Sequence, residues 1–319
     1  MMQKINKIPV CVISGFLGAG KTTLLNNILN GEHGLNITVL VNDFGAIDID
    51  SQLLSKQDGN SISLKNGCIC CSLQNDLVNE LTQLLNQPDG PPEYIIIECS
   101  GVSDPGKIIN SLRYPQLREY FQIDTVLTLI DAKMINSLEG EVKYLATAQL
   151  DVADIIILNK TDIVSQDEIE KIYHDWLYPA ARVLETTYAK VPMDILFSRD
   201  HVENASIETE KMLETKHIHT HLFQSWNWSS TAPVSIEKLR LAITDLPRET
   251  YRAKGIFYSD QYPRKRIILQ MVGSRQEWSV EESNTDKCVS ELVMISTDGE
   301  INQLQVERTL NNCVLSPTF

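Results

Sequence analysis

Val10-Cys11-Val12-Ile13-Ser14-Gly15-Phe16-Leu17-Gly18-Ala19-Gly20-Lys21-Thr22-Thr23-Leu24-Leu25 is the stretch on which the reading of the whole chain turns. Its first four residues are apolar and three of them, Val10, Val12 and Ile13, are β-branched, as in a strand buried on both faces of a parallel sheet. Gly15 to Thr22 then fit G-x-x-x-x-G-K-[ST], and Leu24, Leu25, Ile28 and Leu29 follow at helical spacing. A chance glycine-rich turn would lack this strand-loop-helix register. Gly15, Gly18, Ala19 and Gly20 let backbone N–H groups turn inward around phosphate oxygens, and the helix N-terminus adds its dipole. Lys21 reaches the β- and γ-phosphates, the Thr22 hydroxyl is a Mg²⁺ ligand, and Thr23 completes the phosphate-binding set.

The rest of the composition makes this device necessary. The chain has 319 residues, with 28 Lys and Arg against 42 Asp and Glu, a formal charge of −14. Such a field opposes non-specific binding to nucleic acid or to an anionic membrane, so phosphate must be held locally. With 43% hydrophobic and 22% charged residues the composition is that of a globular protein, and the length suits two domains. No run approaches the roughly 20 apolar residues that span a bilayer, and the N-terminus lacks the apolar segment of a signal peptide. The seven cysteines are odd in number and three fall in Cys68-Ile69-Cys70-Cys71, which argues for a reducing cytoplasm rather than a disulfide framework.

Short apolar runs at 10–14, 37–41, 94–97, 125–130, 155–158 and 182–186 alternate with helical stretches such as Leu77, Leu81, Leu84 and Leu85. This is the pattern of an α/β, doubly wound and mostly parallel sheet. The expected organisation is a P-loop domain over 1–197, a polar linker over 198–219 and a smaller α+β domain over 220–319. In that last part strands are expected near 222–228, 254–258, 266–272, 278–282 and 291–296. One helix is expected to be capped by Ser235, and a second to lie at about 300–310.

Asn159-Lys160-Thr161-Asp162 directly follows the buried run 155–158 and selects the base. The Asp162 carboxylate can accept two N–H bonds from guanine, a pair that adenine does not offer. Asn159 is expected to brace the loop and meet the base edge, while the Lys160 stem covers the base. Glu98 ends the strand Tyr94-Ile95-Ile96-Ile97 and is read as a Walker B acid that holds Mg²⁺ through a water. Asp43, in Asn42-Asp43-Phe44-Gly45, is the natural switch residue sensing Mg²⁺ and the attacking water; as bland alternatives, Glu98 is a capping carboxylate and Asp43 a turn former. Lys21, Asp43 and Glu98 form the expected catalytic set. Cys68, Cys70 and Cys71 can supply two or three thiolates of a tetrahedral Zn²⁺ or Cu(I) site, with buried inert thiols or a redox switch as the alternatives.

Taken in order, GFLGAGKTTLL, NDFG, NGCICC, ECSGVSDP and NKTD resemble the CobW-like metallochaperone GTPases, a P-loop group that also holds the urease and hydrogenase nickel-insertion GTPases. Arg252-Ala253-Lys254-Gly255 is similar to the CobW C-terminal domain. The resemblance implies GTP hydrolysis coupled to binding and delivery of a transition metal, zinc usually and cobalt in some members. GTP and GDP, Mg²⁺ and a metalloprotein client would be its partners, and a homodimer one assembly. There is one departure: Ala46 stands where the family carries glutamate, so that position offers no metal ligand, and Asp48 or Asp43 is the substitute. His217, His219 and His221 form an H-x-H-x-H run, read as a solvated linker or a weak metal site. A nucleotide-regulated metal store or sensor with little turnover is the alternative function; a small-molecule kinase ranks last, since it leaves NKTD and the thiols unexplained.

Overall fold

The computed structural model describes residues 7–31, 33–41, 61–63, 73–88, 90–197, 223–283, 288–297 and 302–315. Asp43, Ala46, Asp48, Cys68, Cys70, Cys71, the histidine run and the 198–219 linker lie outside the described residues. The chain divides into two compact units, Met1–Leu196 and Phe197–Phe319, each described by itself.

The first unit is a seven-stranded sheet of order β3-β2-β4-β1-β5-β6-β7, all parallel. Its strands are β1 (Ile8–Gly15), β2 (Ile37–Val41), β3 (Ser61–Ser63), β4 (Tyr94–Glu98), β5 (Phe121–Asp131), β6 (Ile155–Asn159) and β7 (Val183–Thr186). The helices are α1 (Lys21–Leu29), α2 (Leu73–Leu85), α3 (Pro105–Leu112), α4 (Pro115–Arg118), α5 (Gly140–Asp151), α6 (Gln166–Trp176) and α7 (Met193–Leu196). Continuous apolar strands are required here because helices cover the sheet: β2, β4 and β6 are buried at every position. On one side Leu77, Leu81 and Leu84 of α2 and Ile108, Ile109 and Leu112 of α3 meet Val10, Val12, Ile95 and Ile97. Elsewhere Ala146 and Leu150 of α5 and Ile169 and Ile172 of α6 meet Ile130, Ile156 and Leu158. Each fully buried Leu or Ile contributes about 1.5–3 kcal/mol.

β5 begins at Phe121, four residues before the expected 125, because the sheet absorbs an acidic residue. Val10 pairs with Ile123 and Cys11 with Thr125, so Asp124 is the extra residue of a bulge. Its carboxylate accepts the Tyr94 hydroxyl at 2.6 Å, which removes the cost of burying it. Register does the rest: Ile13 lies beside Glu98, Asp131 beside Asn159, and Asn159 beside Thr186. The carboxyl ends of β4, β1, β5, β6 and β7 thus line one edge, where open α/β sheets bind ligands.

The second unit is an antiparallel five-stranded sheet of order β11-β10-β9-β12-β8 with two helices. The strands are β8 (Phe223–Ser230), β9 (Thr250–Phe257), β10 (Lys265–Val272), β11 (Arg275–Glu282) and β12 (Ser290–Thr297). The helices α8 (Ile236–Thr244) and α9 (Gln303–Asn311) bring Leu239, Ile243, Val306 and Leu310 onto Trp228, Phe257, Leu269, Leu292 and Met294. Ser235 caps α8 through the Lys238 N–H, and Asn302 caps α9 through that of Gln305. Among the described residues no helix is long and apolar enough to cross a membrane.

The start of α6 gives a test of local stability. Ser165 accepts from the Glu168 N–H while the Glu168 carboxylate accepts the Ser165 N–H at 2.8 Å, a reciprocal capping box. That backbone bond, with the Ser165 hydroxyl and Lys133 assisting, holds the Glu168 carboxyl below its usual range. A lowered folded-state pKa means the contribution is present at neutral pH and lost as pH falls through the lowered value. Glu168→Ala should therefore lower Tm at pH 7, with the gap to the parent closing as pH drops below the ordinary 4.5. A gap that persists unchanged in acid would contradict the cap.

Candidate functional site

At the end of β1 the chain turns through Gly15, Gly18 and Gly20, all at positive φ, and enters α1. Gly20 is the N-cap, at φ 107°, with no side-chain cap, and the first turn holds no acidic residue. The first-turn N–H groups are therefore not claimed by a capping side chain and suit an anion. Ala19 is fully buried, Lys21 is 8% exposed and Thr23 is exposed. The Lys21 ammonium donates to the Phe16 carbonyl at 3.4 Å, so it lies against the loop whose N–H groups it complements.

Glu98 meets this loop from the neighbouring strand. It is 2% exposed, and its Oε1 accepts the Thr22 hydroxyl at 3.4 Å. A hydroxyl and a buried carboxylate are hard oxygen donors of the kind Mg²⁺ takes, so the pair fits that ion. The adjoining Cys99 is fully buried, and burial pushes its thiol up to about 12; Lys21 opposes this while Glu98 and Asp104 add to it. Cys99 is therefore a protonated thiol at neutral pH and a poor metal ligand. Among the described residues no group of three or more His, Cys, Asp or Glu is placed to hold a metal.

The 159–162 segment is bound to the phosphate loop through the Asn159 side chain. Asn159, 2% exposed, donates from Nδ2 to the Ala19 carbonyl at 2.9 Å. Its Oδ1 accepts the Ala189 N–H at 2.9 Å and the Thr186 hydroxyl at 3.3 Å. All of these bonds brace the protein. A Cβ on Gly20 would stand 2.5 Å from Asn159 Nδ2, so glycine is demanded there by φ and by space together. Lys160 sits at φ 64° and Asp162 is exposed in the following turn, with its carboxylate accessible to a ligand.

Sequence reasoning missed three contributors. Asp131, 7% exposed, accepts the Lys160 ammonium at 2.7 Å and the Lys133 N–H at 2.9 Å, fixing the lysine stem. Tyr188 and Ala189 are consecutive non-glycine residues at φ 55° and 49°, held by Asn27 Nδ2 bonds of 2.9 and 3.0 Å to their carbonyls. Strained pairs of this kind gather at ligand clamps. An acid ending an apolar strand was a signal for Asp131; nothing in Thr187-Tyr188-Ala189 announces left-handed backbone.

Comparison with known proteins follows the same division of the chain. The CobW/HypB/UreG nucleotide-binding domain matches residues 9–181, and the cobalamin synthesis protein cobW C-terminal domain matches 223–314. The zinc chaperone YjiA of Escherichia coli (strain K12) is 33% identical over 284 residues, covering 84% of this chain and 87% of that protein. The zinc-regulated GTPase metalloprotein activator 1 of Dictyostelium discoideum is 34% identical over 231 residues, 60% of this chain and 48% of that protein. Among solved structures, the Zn(II)-bound YjiA GTPase from E. coli is 25% identical, covers 97% of this chain and 100% of that one, and has a TM-score of 0.45. With the first domain match spanning more than half of its length and the E. coli relative aligned over most of both proteins, the chain belongs to the CobW/HypB/UreG family and carries a cobW C-terminal domain.

Proposed function

We propose that this protein is a GTP-hydrolysing metallochaperone that carries zinc, the cargo named for its relatives, and passes it to a metalloprotein client. The observation that carries the reading is the Asn159 side chain, which ties the guanine-selecting segment to the phosphate loop through the Ala19 carbonyl. It joins the 159–162 segment and the phosphate loop in one site, which supports a nucleotide-binding role. Steady-state phosphate release with GTP and zinc separates a turning-over GTPase from a nucleotide-regulated metal store.

In this reading the first-turn N–H groups of α1 and the backbone of Gly18 to Lys21 hold the phosphates, against the −14 of the whole chain. Lys21 offsets charge at the β- and γ-phosphates. Mg²⁺ held by Thr22, with Glu98 behind it, would offset the remaining charge. Asp162 accepts the two guanine N–H bonds, and Lys160, steadied by Asp131, covers the base. Asp43 orients the attacking water, and Cys68, Cys70 and Cys71 take the cargo as thiolates. The C-terminal unit docks the client. A reducing cytoplasm suits those thiolates.

Three outcomes test these assignments. Asp162→Asn should cost roughly 10- to 100-fold in GTP affinity and narrow the preference over ATP, since an amide cannot accept both bonds. Equal affinities of the unmutated protein for GTP and ATP, measured by titration calorimetry, would sink the base assignment. Lys21→Ala should lose triphosphate binding, while Glu98→Gln should bind GTP yet release phosphate about 100-fold more slowly. Parent-like turnover in either variant contradicts the site. Serine at both Cys70 and Cys71 should abolish tight zinc binding and leave GDP binding intact; zinc retained at parental affinity would move the cargo site elsewhere.

A further inference from the structure

We propose that Gln149 is a positioning residue for the loop after Glu98, and that its side-chain amide sets how that loop answers the γ-phosphate. The inference rests on the GTPase reading and deepens it. Gln149 lies on α5 among the buried Ala146 and Leu150, and is itself 1% exposed. A primary amide at such a position is costly unless its hydrogens are used. Here they are: Nε2 donates to the Ser103 carbonyl at 3.0 Å and to the Gly101 carbonyl at 3.3 Å. An uncharged side chain that can donate to two carbonyls at once is an amide, and a carboxylate or an apolar chain of the same size cannot replace it.

Both ends of this link are fixed. At its base, the Gln149 carbonyl accepts the Thr128 hydroxyl at 2.9 Å, and Thr128 is the register partner of Ser14 beside the phosphate loop. At its tip, the loop leaves Glu98 with the Cys99 N–H on the Ile13 carbonyl at 2.8 Å and closes by two bonds from Ser103 to the Ser100 carbonyl. Asp104 then caps α3 through the Gly106 N–H. Between these ends, Gly101 lies directly on the phosphate loop. A Cβ there would sit 2.6 Å from Leu17 Cδ2 and 2.8 Å from the Leu17 nitrogen.

The loop therefore has one soft point. Gly101 is the residue with the widest backbone freedom, and it lies three residues after the carboxylate paired with Thr22. Gln149 bonds the carbonyls on either side of Val102, and so restricts the peptide planes that a phosphate at the Leu17 turn would move. Without the amide, Gly101 and Val102 are held only by the Ser103–Ser100 bonds and the Leu17 contact, and arrival of a γ-phosphate is no longer converted into one loop geometry. Diphosphate binding, which uses Gly18 to Lys21 and the Asn159 segment, does not pass through Gln149.

The test compares Gln149→Met, which keeps volume and removes both donors, with Thr128→Val, which removes only the anchoring hydroxyl. Gln149→Met is expected to hold GDP within about twofold of the parent. Its kcat for GTP and its ratio of GTP-analogue to GDP affinity should each fall about tenfold, within the range of typical coupling. Thr128→Val, which leaves both side-chain bonds of Gln149 in place, should lower Tm with kcat unchanged. Equal kcat in Gln149→Met and the parent overturns the inference alone, because the parent has then shown its GTPase activity. Equal kcat losses in both variants also overturn it, since Gln149 is then only a brace. A parent that binds no guanine nucleotide overturns the inference together with the function on which it rests. If Gln149→Met does not fold, the Nε2 resonance of Gln149 in the unmutated protein decides. A different shift with GDP and with GTP analogue supports the proposal; the same shift in both contradicts it.

Discussion

One buried amide holds the nucleotide end of the molecule together. Asn159 ends β6 and bonds three separate segments: the phosphate loop at Ala19, the end of β7 at Thr186 and the turn at Ala189. In an interior with few competing donors, each such bond contributes about 0.5–1.5 kcal/mol net, and a buried partner left unbonded costs about 1–3 kcal/mol. The constraint propagates. Gly20 must lack a Cβ to admit the amide, and Ala189 must adopt a left-handed backbone to present its N–H. Asn27 of α1 then secures the carbonyls of that turn, so the helix that follows the phosphate loop also steadies the base side. The phosphate loop, the 159–162 segment and the turn at 188–189 are therefore mechanically one unit.

The strand order explains why so few residues are needed. With β1 between β4 and β5, Glu98 and Asp131 flank the phosphate loop from either side at the same edge. Each acid has a local cation or hydroxyl partner: Asp131 has Lys160, and Glu98 has Thr22. Local pairing of this kind lets a chain of charge −14 present a site for phosphate. Long-range charge at the surface is largely screened beyond about 8–10 Å in physiological salt, whereas groups in contact at a buried edge are not.

Much of this was legible in the sequence because it is local. Buried strands announce themselves as apolar runs, and the 15–22 and 159–162 segments are short motifs whose chemistry is contained in adjacent residues. The family domains found along the chain agree with the fold class and the family read from those runs and motifs. Residues that act across the sheet were not legible. Asp124 lies just before the apolar run at 125–130, and only a bulge and the Tyr94 hydroxyl across the sheet make it part of the strand. Nothing next to Gln149 in sequence marks it, because its partners at 101 and 103 are more than 40 positions away. The backbone of Tyr188 and Ala189 is set by Asn27 and Asn159, and their own identities do not encode it. The thiols of Cys68, Cys70 and Cys71, with Asp43, remain a reading from sequence and resemblance.

A GTPase that loads and releases zinc as proposed must couple nucleotide state to zinc affinity. In sequence the thiols fall between Asp43 and Glu98, so the two residues proposed to face the γ-phosphate have short chain routes to them. The direct measurement is zinc affinity, by competition with a chromophoric chelator, for the protein with GTP analogue, with GDP and without nucleotide. With such coupling the GTP-analogue and GDP values should differ by about 5- to 150-fold, and zinc should change GTP affinity by the matching factor. Identical zinc affinity in all three states would contradict it.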